Sequence, residues 1–209
     1  MFIAITEPIT TLTDYAITIV ALILAGFLLR VGWLNQQTSV CLWGAAFGCV
    51  ALAAALGGTC HGFIRILGEP LDKVLWQLMI YVLSLASLAM LAGTIFSSVA
   101  KRWRRWALLA AAAKTALLWI SLIQQPHFDI AAADYSAAMT VVLILQLHSL
   151  ADASAFWLIA GILVSGVAVV ILSSGLTIPQ MFSHTDLYHL VQLFGLGLLY
   201  QGAKQLEDQ

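Results

Sequence analysis

Seven stretches of eighteen or more mostly apolar residues follow one another along this 209-residue chain. They run near Tyr15–Leu34, Val40–Phe63, Leu71–Phe96, Trp103–Ile123, Phe128–His148, Ala155–Leu172 and Asp186–Ala203. About 20 apolar residues cross a bilayer as a helix, which satisfies its own backbone N–H and C=O groups where no water can. The pattern predicts an all-α fold: a seven-transmembrane helix bundle forming a single integral-membrane domain over residues 1–209. Segments of alternating hydrophobicity are absent, which removes a transmembrane β-barrel. Composition agrees, because 62% of the residues are hydrophobic and 9% charged, where soluble domains carry about 25% charged residues. A net charge of −1 and one short basic run exclude a nucleic-acid partner.

The interruptions are short and polar: Asn35–Thr38, Arg65–Pro70, Ser97–Arg102, Gln124–His127, Ser149–Ser154 and the longer Ser173–Thr185. Pro70, Pro126 and Pro179 all fall in them, where a missing N–H does little harm. Met1–Thr13 has no Lys or Arg, so it lacks the basic region of a cleaved signal peptide, and the first span is expected to stay. Cys41, Cys49 and Cys60 share one apolar stretch. Their odd number argues against a disulfide framework, and they read as small buried hydrophobes.

Basic residues orient the bundle. Arg30, Lys101, Arg102, Arg104, Arg105 and Lys204 fall on one side, and Arg65 and Lys73 on the side of the N-terminus. The positive-inside rule then places the N-terminus outside and the C-terminus in the cytoplasm. A plasma or inner membrane is expected. The Lys101–Trp106 run reads as a headgroup-level stop with Trp anchors. Lys114 and Asp134, on antiparallel neighbouring spans, are expected to form a structural ion pair.

The second span carries a small-residue stripe at spacing four, Ala45, Cys49, Ala53, Gly57 and His61, with Gly44 and Gly48 beside it. Such a face lets a neighbouring helix approach closely. Gly195, Gly197 and Gly202 offer the same in the seventh span.

Ionisable groups inside a membrane are costly, and functional candidates by default. His61 ends the second span, Asp72 opens the third, and Ser183-His184-Thr185-Asp186-Leu187-Tyr188-His189 opens the seventh. The topology sets all of them at the non-cytoplasmic end. Each also has a plain structural reading: Asp72 as a first-turn charge after Pro70, Asp186 as a helix-capping residue, His61 as a boundary residue. Imidazole and carboxylate together suit zinc. His61 and His189 are the expected metal ligands, and His184 and Asp186 compete for the third place. Asp186 lies about 60° from His189 around a helix, His184 about 140°. Asp72 would stand by as a carboxylate that takes a proton from water. Gln77, Tyr81 and Gln192 are candidates to line a cavity beneath.

Seven spans, a His at the end of the second, an Asp eleven residues on and a His-containing motif opening the seventh resemble the CREST superfamily. That group contains the alkaline ceramidases, the progestin and adipoQ receptors and the Per1 proteins. The resemblance implies a zinc-dependent intramembrane hydrolase of lipid amides or related bonds. His61, Asp72 and His189 match the family's second-span histidine, its aspartate and its last histidine. The family serine falls on Gly57, with Thr59 the nearest hydroxyl and so the candidate catalytic substitute. The first histidine of the seventh-span motif falls on Thr185, between His184 and Asp186.

Two functions are expected to compete. One is a zinc-dependent hydrolase of lipid-like amides or esters, with a lipid substrate held in the bundle. The other is a non-catalytic heptahelical protein that binds metal or lipid. A retinal photoreceptor fails for want of a mid-span Lys in the seventh helix, and haem-dependent electron transfer is weakly supported because the histidines sit at helix ends.

Overall fold

The computed structural model describes residues 5–179 and 181–209. Met1–Ala4, part of the stretch weighed as a signal peptide, and Gln180, in the last connection, lie outside the described residues. The described residues form six helices: α1 (Pro8–Leu34), α2 (Thr38–Ser98), α3 (Lys101–Gln124), α4 (Phe128–Leu147), α5 (Ala153–Ser174) and α6 (His184–Ala203). The first five are long and apolar enough to cross a membrane; α6 is not among them. The polar side chains of His184, Thr185, Asp186, His189 and Gln192 dilute its apolar content.

α2 contains both the second and the third apolar stretch. A straight helix of 61 residues would reach about 90 Å. It is instead broken at Gly68, whose φ of 71° and ψ of 157° lie in a region that only glycine enters freely. Pro70 follows and removes a backbone donor at the same point. The two arms fold back on each other. Trp43 Nε1 donates to Thr94 Oγ1 at 3.3 Å across the far end of this hairpin, and His61 meets Trp76 edge-on at the near end, with ring centroids 5.9 Å apart. The described residues therefore form seven helical rods, with a near-vanishing loop between the second and third.

α1 begins at Pro8, a full two turns before the expected Tyr15. Within the polar run Thr10–Asp14, the hydroxyls of Thr11 and Thr13 are satisfied by carbonyls one turn back. Thr11 Oγ1 donates to Glu7 O at 2.7 Å and Thr13 Oγ1 to Thr10 O at 2.9 Å.

Glycines set the closest helix approaches. A Cβ on Gly44 would sit 2.9 Å from Leu29 Cγ, one on Gly58 2.8 Å from Asp14 Cβ, and one on Gly62 2.8 Å from Thr11 Oγ1. α1 thus lies along the first arm of α2 on a face rotated from the spacing-four stripe. Ala45 of that stripe is exposed, and Gly57 turns to Met79 of the second arm. Gly48 and Gly197 have no neighbour within 4 Å, whereas Gly202 abuts Leu158 and Gly195 abuts Ser165, seaming α6 to α5.

Lys114 Nζ of α3 meets Asp134 Oδ1 of α4 at 2.6 Å and Ser87 Oγ of α2 at 2.9 Å. This is the expected intramembrane ion pair. The basic run is helical, and Arg104 is drawn inward: it caps Phe96 O at 3.2 Å, contacts Gln209 O and lies over the Phe96 ring. Trp103 and Trp106 stay exposed, as membrane anchors do. The three cysteines are free.

Candidate functional site

The end of the bundle that holds the near side of the α2 hairpin also holds the first turns of α1 and α6. Ser183 caps α6. Its Oγ accepts from Asp186 N at 3.2 Å, while Asp186 Oδ2 accepts from Ser183 N at 2.7 Å, the reciprocal pairing of a capping box. The other carboxylate oxygen of Asp186 accepts from Thr10 Oγ1 of α1 at 2.8 Å. Both oxygens are therefore engaged, and Asp186 fastens α6 to α1.

One turn further along α6, His189 is buried between Thr13 and Asp14 of α1. Its Nδ1 lies 2.9 Å from Thr13 Oγ1 and its Nε2 3.3 Å from Asp14 Oδ1. Asp14 is 5% exposed and His189 7%, and Asp14 Oδ2 is buried without a hydrogen-bond partner. A buried carboxylate oxygen left bare costs several kcal/mol, so it marks a place where a proton or cation belongs.

His61 stands on the first arm of α2, one turn beyond Gly57. Its Nδ1 lies 3.0 Å from Glu7 Oε2, next to the start of α1. Asp72, on the second arm, is half-buried; its Oδ1 has no partner, and its backbone carbonyl accepts from Cys60 Sγ at 3.8 Å. Thr59 points to the α2 backbone and to Tyr15: it donates to Ala55 O at 2.7 Å and lies 3.0 Å from Tyr15 OH. His184 is the first residue of α6, so within that helix it stays about 140° from His189. Gln77 is exposed, Tyr81 packs on Trp119, and Gln192 Nε2 donates to Ser165 Oγ at 3.2 Å.

Among the described residues no three His, Cys, Asp or Glu side chains already converge so as to hold a metal ion. The structure gathers His61, His189 and Asp186 around the first two turns of α1. It does so through Glu7, Thr10, Thr13 and Asp14, residues not expected to take part. The donor chemistry fits a zinc-type ion in one respect: imidazoles and carboxylates dominate the cluster, and two buried carboxylate oxygens, on Asp14 and Asp72, lack partners.

Asp14 escaped the sequence reading because it precedes the apolar stretch by one residue. The signal was present nonetheless: Glu7, Thr10 or Thr11, and Asp14 recur at spacings of three and four, which puts them on one helix face.

Apolar helices long enough to cross a bilayer, closed around an end cluster of His, Asp and Thr, define a polytopic membrane protein with a buried polar site. Residues 9–208 match the model of DUF6962, a family of unknown function, and the chain belongs to that family. No curated protein and no solved structure matches it significantly.

Proposed function

We propose that all seven rods span the membrane, with the N-terminus outside and the C-terminus in the cytoplasm. The end cluster then works from the non-cytoplasmic side as a zinc-dependent hydrolase of lipid-like amides or esters. The observation that carries this reading is the buried approach of Asp14 and His189, with an unpaired carboxylate oxygen beside it. Polar groups of this kind are expensive at membrane depth and are kept where function needs them.

In this reading His61 and His189 supply imidazole nitrogens to the ion, and Asp186 sets the tilt and depth of His189 by tying the first turn of α6 to Thr10. A bound zinc ion supplies Lewis acidity and lowers the pKa of water toward neutrality. Asp72, with its bare Oδ1, accepts a proton during hydrolysis. The apolar walls of α1 and α2 hold the acyl chains. The resemblance to the CREST superfamily supports the same reading through His61, Asp72 and His189.

A second reading, a non-catalytic metal- or lipid-binding protein, is favoured by Gly57. It brings no hydroxyl to the place of the family serine, and Thr59 turns its own proton to the α2 backbone. Metal analysis of the full chain, purified without chelator, tests the metal on which the hydrolase reading depends. About one zinc per chain, lost in His189→Ala, is expected; a metal-free wild-type protein overturns it. Release of fatty acid from a short-chain ceramide or ester by the loaded protein separates the hydrolase from the second reading.

A further inference from the structure

We propose that Asp14, on α1, is a direct ligand of a divalent cation that it shares with His189; this rests on the metal-dependent reading above. Hydroxyl protons at the site carry the inference. Thr13 has a single hydroxyl proton, which it gives to Thr10 O at 2.9 Å. With the proton directed there, its oxygen is the acceptor for His189 Nδ1, also at 2.9 Å. In that tautomer Thr13 holds the Nδ1–H, and a neutral His189 presents the lone pair of Nε2 to Asp14. Securing one ring nitrogen with a hydrogen bond so that the other faces a metal is how ligating histidines are oriented.

The spacing agrees. At 3.3 Å the Nε2–Oδ1 pair is wider than a charge-assisted N–H···O bond, about 2.7–2.9 Å. A lone pair facing a carboxylate oxygen at that distance is repulsive unless a proton or a cation lies between them, and the test below separates the two. Two atoms each about 2.0–2.1 Å from a tetrahedral zinc stand roughly 3.3 Å apart, one edge of the tetrahedron. The bare Oδ2 of Asp14 gives the carboxylate a second oxygen for the ion. Room for Asp14 exists because Gly58 carries no side chain: a Cβ there would lie 2.8 Å from Asp14 Cβ.

The test titrates the metal-free full chain, in detergent, with Co²⁺ as an optical probe and with Zn²⁺. Wild type should bind one ion, and Asp14→Asn should bind it at least tenfold more weakly. Asp14→Cys should show a thiolate-to-cobalt charge-transfer band that wild type, with its native cysteines, lacks; a structural role for Asp14 produces no such band. In cobalt-grown wild-type crystals, which need no substitution, the anomalous peak should fall between Asp14 and His189. If His189→Ala loses the ion while Asp14→Asn holds it with wild-type affinity, or the peak lies away from Asp14, the Asp14 assignment is wrong and the metal reading stands. If wild type binds neither ion, both fall together.

Discussion

Asp208 closes the open N-terminus of α2 from the far end of the chain, accepting from Ser39 N at 2.9 Å with one oxygen and from Thr38 N at 2.8 Å with the other. Helix starts leave backbone N–H groups without partners, and α2 has no capping side chain of its own at Gln37. Gln37 returns the contact, its Oε1 accepting from Asp208 N at 2.7 Å.

Burial raises the Asp208 pKa, but the hydrogen bonds from Ser39 and Thr38 outweigh it and hold the carboxyl below its ordinary value. A carboxyl depressed in the folded state stabilises fully above its unfolded pKa of about 3.9 and loses that contribution as pH falls through the folded value. Asp208→Ala should therefore cost about 1 kcal/mol near neutral pH, as lost helix caps do. Thermal unfolding in detergent between pH 7 and pH 3 checks this. The gap between variant and wild type should narrow at the acid end, and a constant gap would assign the loss to packing.

The Lys114–Asp134 pair predicts a non-additive double mutant. Lys114→Met leaves the Asp134 carboxylate buried without its cation, which should cost roughly 3–5 kcal/mol. Adding Asp134→Leu removes the stranded charge and should recover most of the loss. Unfolding midpoints for the two single variants and the double variant decide it. Losses that simply add would mean the two groups are not coupled.

Gly58 should tolerate no side chain. Its Cβ would press on Asp14 Cβ at 2.8 Å, both on helix backbones that cannot yield locally, so Gly58→Ala should destabilise by about 1–3 kcal/mol. Gly48→Ala, with no neighbour within 4 Å, should be neutral or slightly stabilising, since alanine is the better helix former. Equal losses at the two positions would contradict the close α1–α2 approach.

The proposed orientation is open to chemical labelling in intact cells. A membrane-impermeant thiol reagent added outside should modify Thr185→Cys and spare Lys101→Cys, with the unsubstituted protein as background. The reverse pattern would invert the bundle and place the site in the cytoplasm.

Apolar periodicity made six of the seven rods legible to within a few residues, and Gly68, Glu69 and Pro70 marked the turn that α2 makes with almost no loop. α1 was cut short because Thr10, Thr11, Thr13 and Asp14 count as polar in any hydropathy window. That measure cannot register that the Thr11 and Thr13 hydroxyls are spent on backbone carbonyls or that Asp14 faces His189. The same limit applied at Asp186. Its phase relative to His189 is set by helix geometry, but its engagement with Thr10 joins residues 176 apart in sequence, and no local pattern encodes that pairing.

The separation of Asp14 from His189 along the chain bears on how the protein is made. At about 5–20 residues per second, ribosomes need roughly 10–35 s to extend the chain from one residue to the other. Throughout that interval α1 must be inserted, or held at the translocation machinery, with its carboxyl lacking the imidazole that later covers it. Among the described helices, α1 is thus made before the others while its burial waits on α6.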